Sequence, residues 1–267
     1  MTGGLLSKTI DTALSRLLEI MATLRSENGC PWDREQTHFS LRQHLLEETY
    51  EVIETIDEGR LEELPGELGD LLLQIVFHAQ IAAEAGVFTM EEVVRSIIDK
   101  LIRRHPHVFG DVEIKTADEQ VVHWEQTKMK KEGKRSAISG VPRELPALLR
   151  AYRIQNKAAT VGFDWPEVTP VWEKIQEEIA ELREAVDGGL PDQMEEELGD
   201  LLFSIVNVSR FLRINPEDAL RRTIEKFTRR FNQVEDEFRR RGQSMAQADL
   251  AELDAAWDAI KLQEKQK

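Results

Sequence analysis

Cysteine is almost missing from this chain of 267 residues. Cys30 stands alone, which excludes an intrachain disulfide and any metal site built from several thiolates. Aromatic residues make up only 6%, and glycine (15) and proline (9) are sparse, so the composition leans to helices rather than to a β-sandwich. Positive charge is also short. Lys and Arg number 35 against 50 Asp and Glu, a formal net charge of −15, whereas a general nucleic-acid binder needs a basic face to displace counterions from phosphate. The most apolar stretch, 71–88, is broken by Gln74, His78, Gln80 and Glu84, so no membrane span is expected. The opening MTGGLLSKTIDTALSRL lacks a charged segment leading into an apolar one, so no secretory signal is expected either. With a lone cysteine, these features place the protein in a reducing cytoplasm. What is present is 41% hydrophobic residues, enough for a core, in a length that suits one or two domains at roughly 150 residues each.

The chain repeats itself. Shifted by 130, residues 40–80 fall on 170–210 without a gap: Glu47, Glu48, Glu51 and Glu54 land on Glu177, Glu178, Glu181 and Glu184. Glu67-Leu68-Gly69-Asp70-Leu71-Leu72 lands on Glu197-Leu198-Gly199-Asp200-Leu201-Leu202, and Ile75-Val76 on Ile205-Val206. Farther on, Lys100, Arg103 and Arg104 answer Lys226, Arg229 and Arg230, and Trp124 with Lys128 answers Trp257 with Lys261. The register changes by a few residues between these matches, as loop insertions produce. The reading is two homologous domains, 1–129 and 147–267, joined by a linker over 130–146 whose KKEGKRSAISGVPRELP combines charge, glycine, serine and two prolines.

Each copy patterns as helix. Leu41, Leu45, Leu46, Val52, Ile53 and Ile56 recur near helical spacing, Gly59 suits the end of that helix, and Pro65 suits the first turn of the next. Asp187-Gly188-Gly189 and Pro191 do the same in the second copy, and further helices are predicted from Met90 to about Arg104 and from Pro216 to about Arg241. No alternating β-branched run competes, so the class is all-α: two helical bundles, each built around an acidic antiparallel hairpin.

Glu178 and Glu181, three apart, share a helix face, as do Glu197 and Asp200 on the next helix. A short connection makes the helices antiparallel and lets the two pairs meet. Four carboxylates together repel unless a cation sits among them, and an oxygen-only donor set selects Mg²⁺, with Mn²⁺ as substitute, over zinc. Glu48, Glu51, Glu67 and Asp70 repeat the arrangement. A solvated acidic face is the plain alternative, and Gly69 and Gly199 weigh against it, because a glycine inside a helix costs about 1 kcal/mol relative to alanine. Close approach of a ligand or a tight helix contact would each explain them. Lys226 and Arg230 lie four apart on one helical face, and Lys261 stands one turn beyond Trp257, so local cations are available to an anionic substrate. Surface ion pairing is the alternative for the cations, and core packing for Trp124 and Trp257. Phosphate-loop, GxSxG and HExxH patterns are absent. His105 and His107 lack counterparts in the second copy and fit local loop structure, and Cys30 has none of the context of a nucleophile.

With Cys30-Pro31-Trp32-Asp33, Arg103-Arg104-His105-Pro106-His107-Val108-Phe109 and Val161-Gly162-Phe163-Asp164-Trp165, the doubled acidic motif resembles the MazG nucleoside triphosphate pyrophosphohydrolases of the all-α NTP pyrophosphatase group. The resemblance covers nearly the whole chain. It implies Mg²⁺-dependent hydrolysis of (deoxy)nucleoside triphosphates to monophosphate and pyrophosphate by intertwined helical homodimers. It places metal ligands at Glu178, Glu181, Glu197 and Asp200, and triphosphate or nucleotide contacts at Lys174, Glu177, Lys226, Arg230, Trp257 and Lys261. Glu177 or Glu178 would accept a proton, while Lys226, Arg230 and Lys261 would neutralise departing pyrophosphate. A second site in the first copy would use Glu48, Glu51, Glu67, Asp70, Lys100, Arg104, Trp124 and Lys128. There His44 takes the place of Lys174, and a largely neutral imidazole grips triphosphate less well, so the C-terminal site is expected to dominate. A non-catalytic Mg-nucleotide sensor or helical interaction protein remains the alternative.

Overall fold

The computed structural model describes residues 3–110, 112, 116 and 136–265. Among them are eleven α-helices and no strand, as the composition and periodicity require. The chain divides into two compact units, Met1–Ile114 and Lys115–Lys267.

The first unit contains α1 (Gly3–Leu24), α2 (Pro31–Glu35), α3 (Arg42–Asp57), α4 (Leu64–Glu84), α5 (Met90–Arg104) and α6 (Pro106–Phe109). α3 ends where the sequence says it should. Gly59 adopts φ +71°, a left-handed conformation that turns the chain back towards α4, and Pro65 occupies the first turn of that helix. α3, α1 and α5 all pack on α4. The core joins Met21, Leu41, Val76 and Phe77, with Leu17, Leu18, Leu73 and Ile81 against it. Each such side chain, fully buried, contributes about 1.5–3 kcal/mol. The buried Arg25 guanidinium ties the segment after α1 to α4: it pairs with Glu84 at 2.8 Å and donates to the Asp33 and Gln36 carbonyls. That pairing holds the Glu84 carboxyl below its ordinary range. Thr89 and Glu92 close a reciprocal capping box at the start of α5, which fixes its first turn.

The second unit contains α7 (Ala147–Ala159), α8 (Thr169–Gly188), α9 (Pro191–Phe211), α10 (Pro216–Arg240), a 3₁₀ turn (Met245–Gln247) and α11 (Leu250–Lys265). Gly189, at φ +65°, caps α8, and Pro191 begins α9. α9 packs along α8 and α7, while α10 pairs with α11 and also touches α7. The α10–α11 core is Val234, Phe238, Ala256 and Ile260, with Met245, Ala248, Leu253 and Trp257 packed against it. The α3–α4 and α8–α9 hairpins are the two copies of the internal repeat. No helix among the described residues is long and apolar enough to cross a membrane.

Candidate metal centre and the cavity beside it

The α8–α9 connection is so short that the two helices run antiparallel, which aims the acidic residues of one at those of the other. Glu178, Glu197 and Asp200 each bring a carboxylate oxygen to within 4.8 Å of the other two. Glu178 is 3% exposed. Its Oε1 lies 2.7 Å from Lys174 Nζ, while its Oε2 is buried without a hydrogen-bond partner. Lys174 also bonds Glu177 at 2.7 Å; the two carboxylates, Glu177 foremost, hold its ammonium well above the usual lysine range. Glu197 is pushed above the ordinary carboxylate range, first by desolvation and then by Glu181, Glu178 and Asp200. Glu181, the fourth expected ligand, acts on Glu197 through its charge but is not one of the three whose oxygens meet. A buried anion with one oxygen unsatisfied is costly, and a hard cation is the partner this oxygen-only set fits.

The N-terminal hairpin repeats the cluster with a difference. Glu48, Glu67 and Asp70 meet within 4.8 Å, and Glu48 is raised by burial, by the charges of Glu51, Asp70 and Glu67, and by a hydrogen bond shared with Glu51. His44 bonds Glu47 at 3.1 Å, as Lys174 bonds Glu177, yet among the described residues no ammonium pairs with Glu48 as Lys174 pairs with Glu178. Lys100 and Arg104 stand on α5, which packs on α4. Trp124 and Lys128 lie outside the described residues.

The expected phosphate-binding cations occupy another hairpin. Arg230 donates to Glu264, with its Nε at 2.8 Å and Nη2 at 2.7 Å, and lies over the Trp257 ring at 5.9 Å. Arg230 and Arg229 hold the Glu264 carboxyl below its ordinary range. Lys261 pairs with Asp258 at 3.2 Å. Trp257 packs on the α10–α11 core and on Phe227, ring centroids 5.1 Å apart, while Lys226 is exposed on α10. None of these four lines the cavity that opens beside Glu178. Within one chain the carboxylates gather with Lys174, and Lys226, Arg230, Trp257 and Lys261 gather separately.

That cavity, about 570 Å³, is bounded by Lys174, Glu178 and Asp200 at one end and by the Phe163–Trp165 loop at the other. Gln155, Ser204, Asn207 and Arg210 along its wall escaped the sequence reading. The repeat register held a signal for them: Asn207 falls opposite Phe77, and Arg210 opposite Gln80. Gly69 and Gly199 are also clarified. A Cβ at either would meet nothing within 4 Å, so no packing among the described residues calls for them, and the space is open to a ligand or second chain. His105 behaves as local structure, its Nδ1 2.7 Å from the Leu101 carbonyl.

A helical hairpin repeated along one chain, with an oxygen-only acidic cluster on each copy, defines an all-α protein with two candidate sites for a hard cation. The MazG nucleotide pyrophosphohydrolase domain model matches residues 36–109 and again 169–235, and the chain belongs to this family. A Thermotoga maritima protein named nucleoside triphosphate pyrophosphohydrolase/pyrophosphatase MazG is 49% identical over 247 residues, covering 92% of this chain and 94% of its own length. The Escherichia coli K12 protein named nucleoside triphosphate pyrophosphohydrolase is 46% identical over 257 residues, covering 94% and 98%. The fold class, family and enzyme class expected from the sequence are met. The matched segments contain both acidic hairpins and stop short of Trp257 and Lys261.

Proposed function

We propose that this chain cleaves (deoxy)nucleoside triphosphates between the α and β phosphates, releasing monophosphate and pyrophosphate, with the α8–α9 hairpin as its main reaction centre. The observation that carries the placement is Glu178: a buried carboxylate with one oxygen unsatisfied, inside an acidic cluster and beside the lysine the first copy lacks. Glu178, Glu181, Glu197 and Asp200 would hold Mg²⁺, or Mn²⁺ in its stead. Bound there, the cation supplies Lewis acidity at the phosphates. Lys174 orients Glu177 and Glu178 and meets the triphosphate. A carboxylate of that pair accepts the proton as water attacks the α phosphorus and the bond to the pyrophosphate oxygen breaks. Lys226, Arg230 and Lys261 neutralise the leaving pyrophosphate, with Trp257 beside them.

These cations reach the carboxylates through a homodimer. Supporting this, α9 exposes Leu198, Leu202 and Ile205, and α10 exposes Leu220, Ile224, Phe227 and Phe231, rows at three- and four-residue spacing that the described residues leave about half exposed. α4 exposes the matching Leu68, Leu72 and Ile75. The N-terminal site, with His44 in place of Lys174, would hold metal and nucleotide but turn over slowly. A single cysteine suits the cytoplasm as the place of action.

Product analysis tests the reading. A panel of NTPs and dNTPs with Mg²⁺ yields monophosphate and pyrophosphate, and with EDTA yields neither; diphosphate plus orthophosphate would mean that another bond is attacked. Glu178→Gln with Glu181→Gln abolishes turnover, whereas Glu48→Gln with Glu51→Gln leaves most of it. The reverse pattern would move the main site to the first hairpin. Nucleotide bound with no product would favour a sensor.

A further inference from the structure

The cavity beside Glu178 continues well past the carboxylates. Asp200, Ser204, Asn207 and Arg210 lie along one face of α9, and Asp200 to Asn207 spans about 10 Å at 1.5 Å per residue. The far end is polar where a core would be apolar. Gln155 is 8% exposed and Asn207 7% exposed. Gln155 donates its Nε2 to the Phe203 carbonyl at 2.9 Å, which leaves its Oε1 pointing away as a buried acceptor with no partner. Asn207 accepts from Arg210 Nε through its Oδ1 at 3.1 Å, an orientation that leaves its amide donor as the group not engaged by Arg210.

The same position in the first copy is Phe77, buried in the core with Met21, Leu41 and Val76. The fold therefore accepts an apolar residue here, so filling a core does not by itself call for the buried amide of the second unit. An unsatisfied buried acceptor is destabilising unless something arrives to donate to it.

Two aromatic residues stand at this end. Gly162, at φ +86°, turns the chain off the end of α7 and sends out Phe163, which is 83% exposed, and Trp165. The loop between them is anchored: Arg210 makes a bidentate pair with Asp164, Nη1 to Oδ2 at 2.8 Å and Nη2 to Oδ1. The same guanidinium thus holds Asn207 on the wall and the aromatic loop over the mouth. A flat heterocycle that stacks on aromatic rings and presents a hydrogen-bond donor is the ligand with matching chemistry.

We propose that this end of the cavity is the nucleobase subsite, with Gln155 Oε1 accepting from an N–H of the base, Asn207 donating to its edge, and Phe163 and Trp165 supplying stacking surface. Arg210 and Asp164 are positioning residues. The inference rests on the pyrophosphohydrolase reading, because the phosphates must sit at Glu178 and Asp200 for the base to reach Gln155.

Steady-state kinetics of the full-length protein with Mg²⁺ test it, using a panel of NTPs as substrates and inorganic tripolyphosphate as a base-free competitive inhibitor. Phe163→Ala and Gln155→Leu raise KM for the preferred NTP about tenfold or more, with a smaller change in kcat. Both leave inhibition by tripolyphosphate as it is in the wild type, and Phe163→Tyr restores the low KM. Phe163 is exposed, so its truncation leaves the fold intact even where Gln155→Leu does not. NTP KM values unchanged in Phe163→Ala, or NTP and tripolyphosphate weakened equally, would overturn the subsite while leaving the activity in place. A wild type that turns over no NTP overturns the underlying reading, and the subsite with it.

Discussion

Replacing Glu178 by glutamine separates two roles that a buried acid can play. In the metal-free protein the Glu178 carboxylate lies within 4.8 Å of oxygens from Glu197 and Asp200, and these like charges repel it. Lys174, 2.7 Å away, offsets that repulsion. What is left over is the unsatisfied Oε2. An amide keeps an oxygen for Lys174 and turns the orphan into a donor towards Glu197 or Asp200. In EDTA, Glu178→Gln is therefore expected to be more stable than the wild type by about 1–3 kcal/mol, at roughly 2–4 °C in Tm per kcal/mol. Added Mg²⁺ reverses the order. The wild type gains about 2.7 kcal/mol at a hundredfold excess over Kd, and the variant, short of a ligand, gains little. Thermal unfolding with and without Mg²⁺ at neutral pH reads both effects, alongside turnover, which the variant loses. A variant less stable than the wild type in EDTA would show that Oε2 was satisfied after all. Undiminished stabilisation by Mg²⁺ would remove Glu178 from the ligand set.

Lys174→Met lowers initial rates about tenfold or more, since it removes a charge-assisted contact to the phosphates. In a Glu178→Gln background, His44→Lys raises whatever slow turnover the first hairpin retains; no rise would mean that the missing lysine is not what limits that copy. Glu197 and Glu48 have folded pKa values above the ordinary one, so the metal-free fold is favoured as pH falls into the carboxylate range and loses that contribution as pH rises through the raised values. Glu84, held low by Arg25, has the opposite sign, its stabilisation being lost as pH falls through its lowered value. Mg²⁺ binding in mildly acidic solution consequently releases protons, which calorimetry in buffers of differing ionisation enthalpy detects; heats independent of the buffer would refute it. Gly199→Ala, which meets no atom within 4 Å, stabilises α9 by about 1 kcal/mol if nothing approaches that face. Stabilisation accompanied by loss of activity would show that a ligand or second chain uses the open space.

The signals that worked in the sequence are local ones. Gly59 and Gly189 stop helices because each supplies a left-handed residue, and Pro65, Pro191 and Pro216 start them because a first turn needs no N–H. The meeting of Glu48 with Glu67 and Asp70, and of Glu178 with Glu197 and Asp200, was legible because two helices joined by a short turn can only fold back, which turns spacing along each into proximity across them; Glu51 and Glu181 stand outside these clusters. Tertiary placement was not legible. Nothing in the spacing of Lys226, Arg230, Trp257 and Lys261 says that they gather on α10–α11, around Glu264 and Phe227, apart from the cavity. Gln155 and Asn207 escaped for a related reason. A single amide inside a helical pattern looks like surface until the packing of α7 against α9 buries it.

The two hairpins differ at positions that lie along one face, and the differences agree with one another. Opposite Lys174, Asn207 and Arg210 the first copy carries His44, Phe77 and Gln80. Phe77 fills a core, with Trp32 edge-on at 6.5 Å, and a buried phenyl contributes about 1.5–3 kcal/mol that a buried amide does not. Arg25, reaching Glu84 and the carbonyls of Asp33 and Gln36, secures the segment beside α2 by contacts that leave no role for an arginine at position 80. The second copy gives up that apolar packing and keeps two buried amides and an exposed phenylalanine instead. Both copies bury an amide whose oxygen has no partner, Gln74 in the first and Gln155 in the second, so what sets the second copy apart is the carboxylate itself: Glu178, buried beside Lys174 with its Oε2 unsatisfied. The acidic quartet, retained in both, is thus the weaker guide to where turnover occurs. The stronger guide is the set of side chains that differ beyond it: Lys174, Asn207 and Arg210 border the cavity of the second unit, where the first has His44, Phe77 and Gln80.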